Sequence, residues 1–383
     1  MERLEPFNGQ WTGTLNSKNY YIINFDIRGG DIRGRITVID INKYTFGDYI
    51  DLGLVYWLDF NGREKDGLIT GSATGATLHL TSGEELSQEA YDELLEVYPS
   101  FEVANTTRFI IRIAEGNLKV EYDSFFDNLE TVFVDGILTK AGDGLVSTVE
   151  HEQLSWDEFK TYALGQSDGA IYRGQPKNWG LKTSFHRTGR SDVISYLDVE
   201  VPDLERHLNA NSRHVYDIEV DKSLGALLNL AQHHGYPTPL LDWTYSPFVA
   251  AFFAFENELM EGISSHVSIF NFDERAWSAF RTKQARMRTP MLELSVLELP
   301  INDNPRVMPQ QSVIMYSNTS DIEGYITSME SHFETSYIKA VSIPVTERKK
   351  ALRDLSLMGI NKGSLFPGLD GVCQQLKVRH FES

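Results

Sequence analysis

The sequence predicts two domains of different class, an N-terminal antiparallel β barrel or sandwich over residues 1–147 and a C-terminal α+β domain over residues 148–383. Three observations carry that division. A chain of 383 residues is too long for one ordinary core. Up to about residue 140, apolar and polar residues alternate in short runs, the period of half-buried strands. Beyond residue 150, longer stretches with helical spacing separate the strands.

In the first domain the alternating runs are WTGTL, YYIINFDI, IRGRITVIDI, GLVYWLDF, LITGSAT, ATLHLT, RFIIRIA, LKVEYD and TVFVDGILTK. Turns are expected between them at Arg28-Gly29-Gly30-Asp31 and at Asn61-Gly62. One helix with an acidic outer face is expected around Glu84 to Val97, capped near Ser82 or Gly83. Ala141-Gly142-Asp143-Gly144 and the polar residues up to His151 read as the connection, which places the boundary near 147. In the second domain Leu154 to Gly165 has helical spacing and leads into the strand-like Ala170-Ile171-Tyr172-Arg173. Asp198 to Ala210 and Leu224 to His234 read as helices, and Ser246 caps a helix that opens on Pro247 and runs to about Glu261. Val267 to Phe272, Leu292 to Leu299, Ser312 to Tyr316 and Ile338 to Val345 read as strands, after which Thr346 caps a basic helix stopped by Gly359.

Composition narrows the function classes. With 41 % hydrophobic residues the chain can bury its cores without disulfides, and its one cysteine, Cys373, has no partner to bridge with. No Cys/His cluster has zinc spacing, so no metal is expected, and a reducing cytoplasm suits the chain. The opening MERLEPFNGQ lacks a basic region followed by an apolar stretch, and no run approaches the ~18 apolar residues of a membrane span. A soluble protein with no membrane partner is expected. The net charge of −19 disfavours nonspecific nucleic-acid binding. Residues 1–150 carry 25 Asp and Glu against 12 Lys and Arg, a net −13 of that total, so DNA is not expected on the first domain, which is read as recognising a partner or covering a cleft.

Two runs carry candidate chemistry. Phe248 to Phe255 is apolar on every side and reads as a buried helix. Before it, Leu240-Leu241-Asp242-Trp243-Thr244 sets a carboxylate among large apolar residues, where it would be partly desolvated and would need donors, from the turn or from a ligand. His233-His234-Gly235 suits a helix end, with a histidine on the last carbonyls or in polar contact with a ligand. In Ile171-Tyr172-Arg173-Gly174-Gln175, an Arg at a strand end followed by Gly can present its guanidinium to a phosphate or carboxylate, or form a surface ion pair. Gln310 and Gln311, just before a strand, are loop residues or amide donors aimed into a cleft.

Taken in order, these runs resemble the FRG domain, a bacterial family named for a Phe-Arg-Gly motif that stands here as Tyr172-Arg173-Gly174. The resemblance runs from about residue 150 to 380. Its most specific part is Gln232, His233, Gly235, Pro237, Thr238 and Leu240-Leu241-Asp242-Trp243-Thr244 before the apolar helix, and it closes with Gly359-Ile360 and Leu365-Phe366-Pro367-Gly368-Leu369-Asp370-Gly371. The chain departs from the pattern at Pro239, where Arg is usual, and at His234, where an aromatic residue is usual. The order of parts is also similar to that of ADP-ribosyltransferases, which implies an ADP-ribosyltransferase-like fold and NAD as substrate, with no metal. On that resemblance Arg173, Asp242 and Gln310 are the catalytic candidates. Arg173, Gly174, Gln175, His233, His234, Thr244 and Ser246 are the cofactor-binding candidates. The implied reaction is transfer of ADP-ribose to a nucleic-acid or protein acceptor, in a toxin or antiphage-defence role by analogy. The alternative is a non-catalytic nucleotide- or partner-binding sensor.

Overall fold

The computed structural model describes residues 5–381 apart from 16–18, 29–30, 41, 75, 82–83, 127–130, 143, 167, 257–264, 280–285, 290 and 300–304. The alternating runs form β1 (Gly9–Leu15), β2 (Asn19–Arg28), β3 (Asp31–Asp40), β4 (Tyr44–Phe46), β5 (Tyr49–Leu52), β6 (Leu54–Lys65), β7 (Leu68–Thr74), β8 (Thr77–Leu80), β9 (Thr106–Ala114), β10 (Asn117–Phe125) and β11 (Thr131–Lys140). Every pairing among them is antiparallel, and β3 pairs with β6 as well as β2 while β11 returns to β1, so eight strands close into an up-and-down barrel. Closure settles the choice between barrel and sandwich. Tyr21, Ile23 and Phe25 alternate inward along β2 and are buried, as the period of two requires.

Local details differ where packing overrides a turn signal. Asn61-Gly62 lies inside β6, and the turn is at Asp66-Gly67, both with positive φ. Gly62 is a packing residue, since a Cβ there would stand 2.8 Å from Ile69. The acidic helix begins later than expected, at Gln88, capped by Ser87 rather than near Ser82 or Gly83, which lie outside the described residues.

The second domain holds a seven-stranded mixed sheet: β12 (His151–Gln153), β13 (Ala170–Gln175), β14 (Leu240–Thr244), β15 (His266–Asp273), β16 (Leu294–Leu297), β17 (Ser312–Ser317) and β18 (Ile338–Pro344), in the order β12-β18-β15-β13-β14-β17-β16. A capping box of Ser155 and Glu158 starts the Trp156–Leu164 helix. The expected helix from Asp198 breaks into Val193–Val199 and Val201–Asn211, with Pro202 in the first turn of the second. Ser246 caps the Pro247–Phe255 helix, whose expected extension to Glu261 falls among residues that are not described. Thr346 sits in a 3-10 turn, Val345–Glu347, so the basic helix Arg348–Leu357 is not capped by it; Gly359 ends that helix with φ +82. The Leu369–Phe381 helix follows. No helix among the described residues is long and apolar enough to cross a membrane.

The outer wall of the barrel packs on the second domain through polar contacts. Arg190 Nε donates to Asp26 Oδ2 at 2.9 Å, Ser191 N to Asp26 Oδ1 at 2.9 Å, and Gln10 Nε2 to the Asn318 carbonyl at 3.2 Å. The connection is pinned by buried Glu323, whose carboxylate accepts from Thr148 N at 2.6 Å and from Leu181 N at 2.9 Å. Asp192 is buried at the same wall, accepting from Ser195 N at 2.9 Å and lying 3.6 Å from Arg35 Nη1. Burial pushes its carboxyl up to about 6, with Arg35 opposing. Because this value lies above that of an unfolded carboxylate, the native state holds the extra proton between the two, and stability falls as pH rises from about 4 to about 6. Thermal unfolding of Asp192→Asn, which keeps a capping oxygen, is expected to show a flatter pH dependence across that window. The parent should lose no more than about 3 kcal/mol there. Equal slopes in the two proteins would remove Asp192 as the source.

Candidate functional site

The seven-stranded sheet is split. β13 pairs with β15 along all six of its residues and β14 pairs with β17 along all five, yet β13 and β14 meet only at Tyr172 opposite Thr244. From that pair the two strands diverge, and a cleft of about 400 Å³ opens between them. Tyr172, Arg173 and Gly174 line one side, Asp242, Trp243 and Thr244 the other, with Gln232, His233, Phe253, Arg306, Gln310 and Phe366 around them. None of the described lining residues comes from the barrel.

Strand alternation places the carboxylate. Leu241 and Trp243 point into the core shared with Phe270 and Phe272, which turns Asp242 to the opposite face, exposed to the cleft and not desolvated as its apolar neighbours suggested. Gln232, near the end of the Asp221–His233 helix, donates from Nε2 to Asp242 Oδ1 at 2.7 Å, and its Oε1 accepts from the hydroxyl of fully buried Thr238. The buried threonine thus orients the amide that orients the carboxylate. Gln232 was legible only as part of the motif from Gln232 to Thr244, because a Gln on a helix has no role until the strand beside it is placed.

Arg173 spans the split, its Nη1 donating to the Asp242 carbonyl at 2.5 Å. Its Nε is buried and has no hydrogen-bond partner among the described residues. Burial lowers the guanidinium to about 10, the Asp242 charge opposing and Arg187 adding to the effect, so it remains a cation at neutral pH. Arg187, at the end of the Ser184–Arg187 helix, is within electrostatic reach of both Asp242 and Arg173. Arg306 reaches the cleft from the segment before β17, its guanidinium 5.3 Å over the Phe366 ring. Pro239, where the motif usually has Arg, is buried outside the cleft lining. The cations that line the cleft are Arg173 and Arg306, and Arg187 acts on Arg173 from outside the lining.

The remaining candidates divide. Gly174 lines the cleft, but it serves the helix behind it: a Cβ there would lie 1.8 Å from the Ala250 carbonyl oxygen. Thr244 lines the cleft with its hydroxyl donated to the Gln310 carbonyl at 2.7 Å and accepting from Ser246 N at 3.0 Å. Gln310 donates its amide to the Leu365 carbonyl at 2.9 Å, tying the closing Leu365-Phe366 run to the cleft wall. Ser246 accepts from Val249 N at 3.3 Å as the helix cap, Gln175 donates to the Trp179 carbonyl at 2.7 Å, and His234 caps the Asp221–His233 helix; none of these three lines the cleft. His233 does line it, with Nδ1 on the Asn229 carbonyl at 2.7 Å, and Gly235 takes φ +83 as a helix stop requires. Among the described residues no three His, Cys, Asp or Glu side chains converge as metal ligands would.

The fold and cleft define a two-domain protein, an up-and-down barrel joined to an α+β domain whose split sheet holds a cation-rich cleft. Residues 168–262 match the family model described as the FRG domain, and the chain therefore carries an FRG domain that contains β13, β14 and the apolar helix behind them. Neither the curated proteins nor the solved structures gave a match.

Proposed function

We propose that the cleft binds NAD⁺ and that the FRG domain is an ADP-ribosyltransferase-like enzyme acting on a macromolecular acceptor. The observation that supports it is that Arg173 and Arg306 line one cleft, with Arg187 in electrostatic reach of Arg173, in a chain of net charge −19. Guanidiniums hold a pyrophosphate through paired charge-assisted hydrogen bonds, and the unpartnered Nε of Arg173 is a donor in reserve. Asp242, steadied by Gln232, is the carboxylate that can accept from a ribose hydroxyl and stabilise positive charge at C1′. As the C1′–N bond breaks, nicotinamide leaves with the bonding electron pair. The acceptor's nucleophile then bonds to C1′, and its proton passes to solvent. Gln310 contributes little to that step, since its amide is committed to Leu365. A toxin or antiphage-defence role belongs to the same proposal, as modification of an essential macromolecule would halt growth.

The hydroxyls of Thr244 and Ser246 and the Gln310 amide, all engaged locally, favour the second reading, a nucleotide sensor without turnover. One experiment separates the two: thermal unfolding with NAD⁺ beside chromatography of released nicotinamide in the presence of cell extract. Stabilisation of about 2.7 kcal/mol is expected at a hundredfold excess over Kd. Nicotinamide release that drops a hundredfold or more in Asp242→Asn supports the transferase. Stabilisation without release supports the sensor, and neither effect sinks both.

A further inference from the structure

The barrel is solid at one end and hollow at the other. Phe25, Phe60 and Phe109 pack ring to ring across its interior, with centroids 5.4 and 4.7 Å apart, and Phe7 lies beyond them against Phe25. Inward-facing glycines make room for this plug: a Cβ on Gly34 would stand 2.3 Å from Phe60, and one on Gly71 2.5 Å from Phe109. Towards the other end the inward side chains shorten or carry hydroxyls, and a cavity of about 290 Å³ remains, lined among others by Tyr21, Tyr56, Thr107, Val120, Tyr122 and Ser124. That is roughly twice the ~150 Å³ void that takes up benzene, and β-barrel mouths are a recurrent place for small-molecule sites.

The lining dictates the ligand's chemistry. Four of its hydroxyls stand in two pairs, Tyr21 Oη with Tyr122 Oη and Thr107 Oγ1 with Ser124 Oγ at 3.1 Å, and the fifth, on Tyr56, bonds Asp40. In each pair one proton is used between the partners and the other stays available, so each pair can donate to or accept from a guest. Burial raises the pKa of both phenols, which keeps them neutral. No Lys, Arg or His is among the described lining residues, and Glu102 is the one ionisable carboxylic acid among them. An anion would therefore meet no counter-charge, in a part of the chain, residues 1–150, of net −13.

We propose that the barrel lumen binds an uncharged, mainly apolar small molecule, about two aromatic rings in size and bearing a hydroxyl or carbonyl that meets the Tyr21–Tyr122 or Thr107–Ser124 pair. The site is separate from the FRG cleft, with which it shares no lining residue. It gives the barrel a ligand of its own and stands whether or not NAD⁺ binds the cleft.

Calorimetric titration of the full chain with 2-naphthol and with 2-naphthoate, which share a ring system and differ in charge, tests this. Saturable binding of one 2-naphthol per chain is expected, with 2-naphthoate at least tenfold weaker. Val120→Trp, which fills the lumen, and Ala104→Trp, which blocks it from a loop outside the strands, should each weaken 2-naphthol at least tenfold. Cooperative thermal unfolding checks that each variant is folded. If either is not, methyl NMR of the parent decides: on adding 2-naphthol the Val38, Val120 and Val134 signals should move. No saturable binding, equal binding of 2-naphthoate, insensitivity to both folded variants, or shifts confined to residues outside the barrel would overturn the proposal.

Discussion

Gly174→Ala is expected to cost more than about 3 kcal/mol of stability, a large share of the 5–15 kcal/mol typical of a domain. The new Cβ would lie 1.8 Å from the Ala250 carbonyl oxygen and 2.9 Å from Ala254 N, and these are backbone atoms of the Pro247–Phe255 helix, which no rotamer change can move aside. The helix would have to lift from β13, exposing Ala250, Ala254 and Phe255, which are now almost fully buried. Gly165→Ala is the matched control, because its Cβ would meet nothing nearer than 3.5 Å and its φ is −90. Denaturant unfolding of both variants reads the difference. A Gly174→Ala protein within about 1 kcal/mol of the parent would show that the close approach of helix and strand is not required.

Arg173→Lys should abolish most of the stabilisation that NAD⁺ confers while leaving the chain folded. Lysine keeps the charge but loses the fork, and charge-assisted hydrogen bonds of this kind are worth about 1.5–3 kcal/mol, a roughly 10- to 100-fold change in Kd. A smaller loss of intrinsic stability, on the order of 1 kcal/mol, should accompany it, because the bond from Nη1 to the Asp242 carbonyl ties the diverging strands together. Thermal unfolding at several NAD⁺ concentrations separates the two effects. Unchanged NAD⁺ dependence in Arg173→Lys would place the nucleotide elsewhere or nowhere.

How much of this was legible in the chain depends on how far apart the interacting residues lie. The period of two in YYIINFDI and RFIIRIA marked the barrel strands, and Ser246 before Pro247 marked a helix start, because such signals act between residues two to four apart. Arg173, Asp242 and Gln310 were legible as candidates through the order of their motifs, and all three line one cleft. Gly174 was legible as a binding candidate and does line the cleft, but its second role, the close approach of a helix, was not legible. The sequence also made Asp242 look desolvated, since reading along the chain shows its neighbours and not which face of β14 it occupies.

By itself, then, the sequence determined the two fold classes, most element positions and the principal cleft residues, because period, caps and turn residues are set by neighbours a few positions apart. Tertiary structure alone decided that the second sheet opens between β13 and β14, that Gln232 steadies Asp242, that Arg306 and Phe366 join the cleft, and that the barrel is hollow at one end. Those features rest on contacts between residues far apart in the chain, 69 positions for Arg173 and Asp242, and such contacts exist only once the sheet has chosen its strand order.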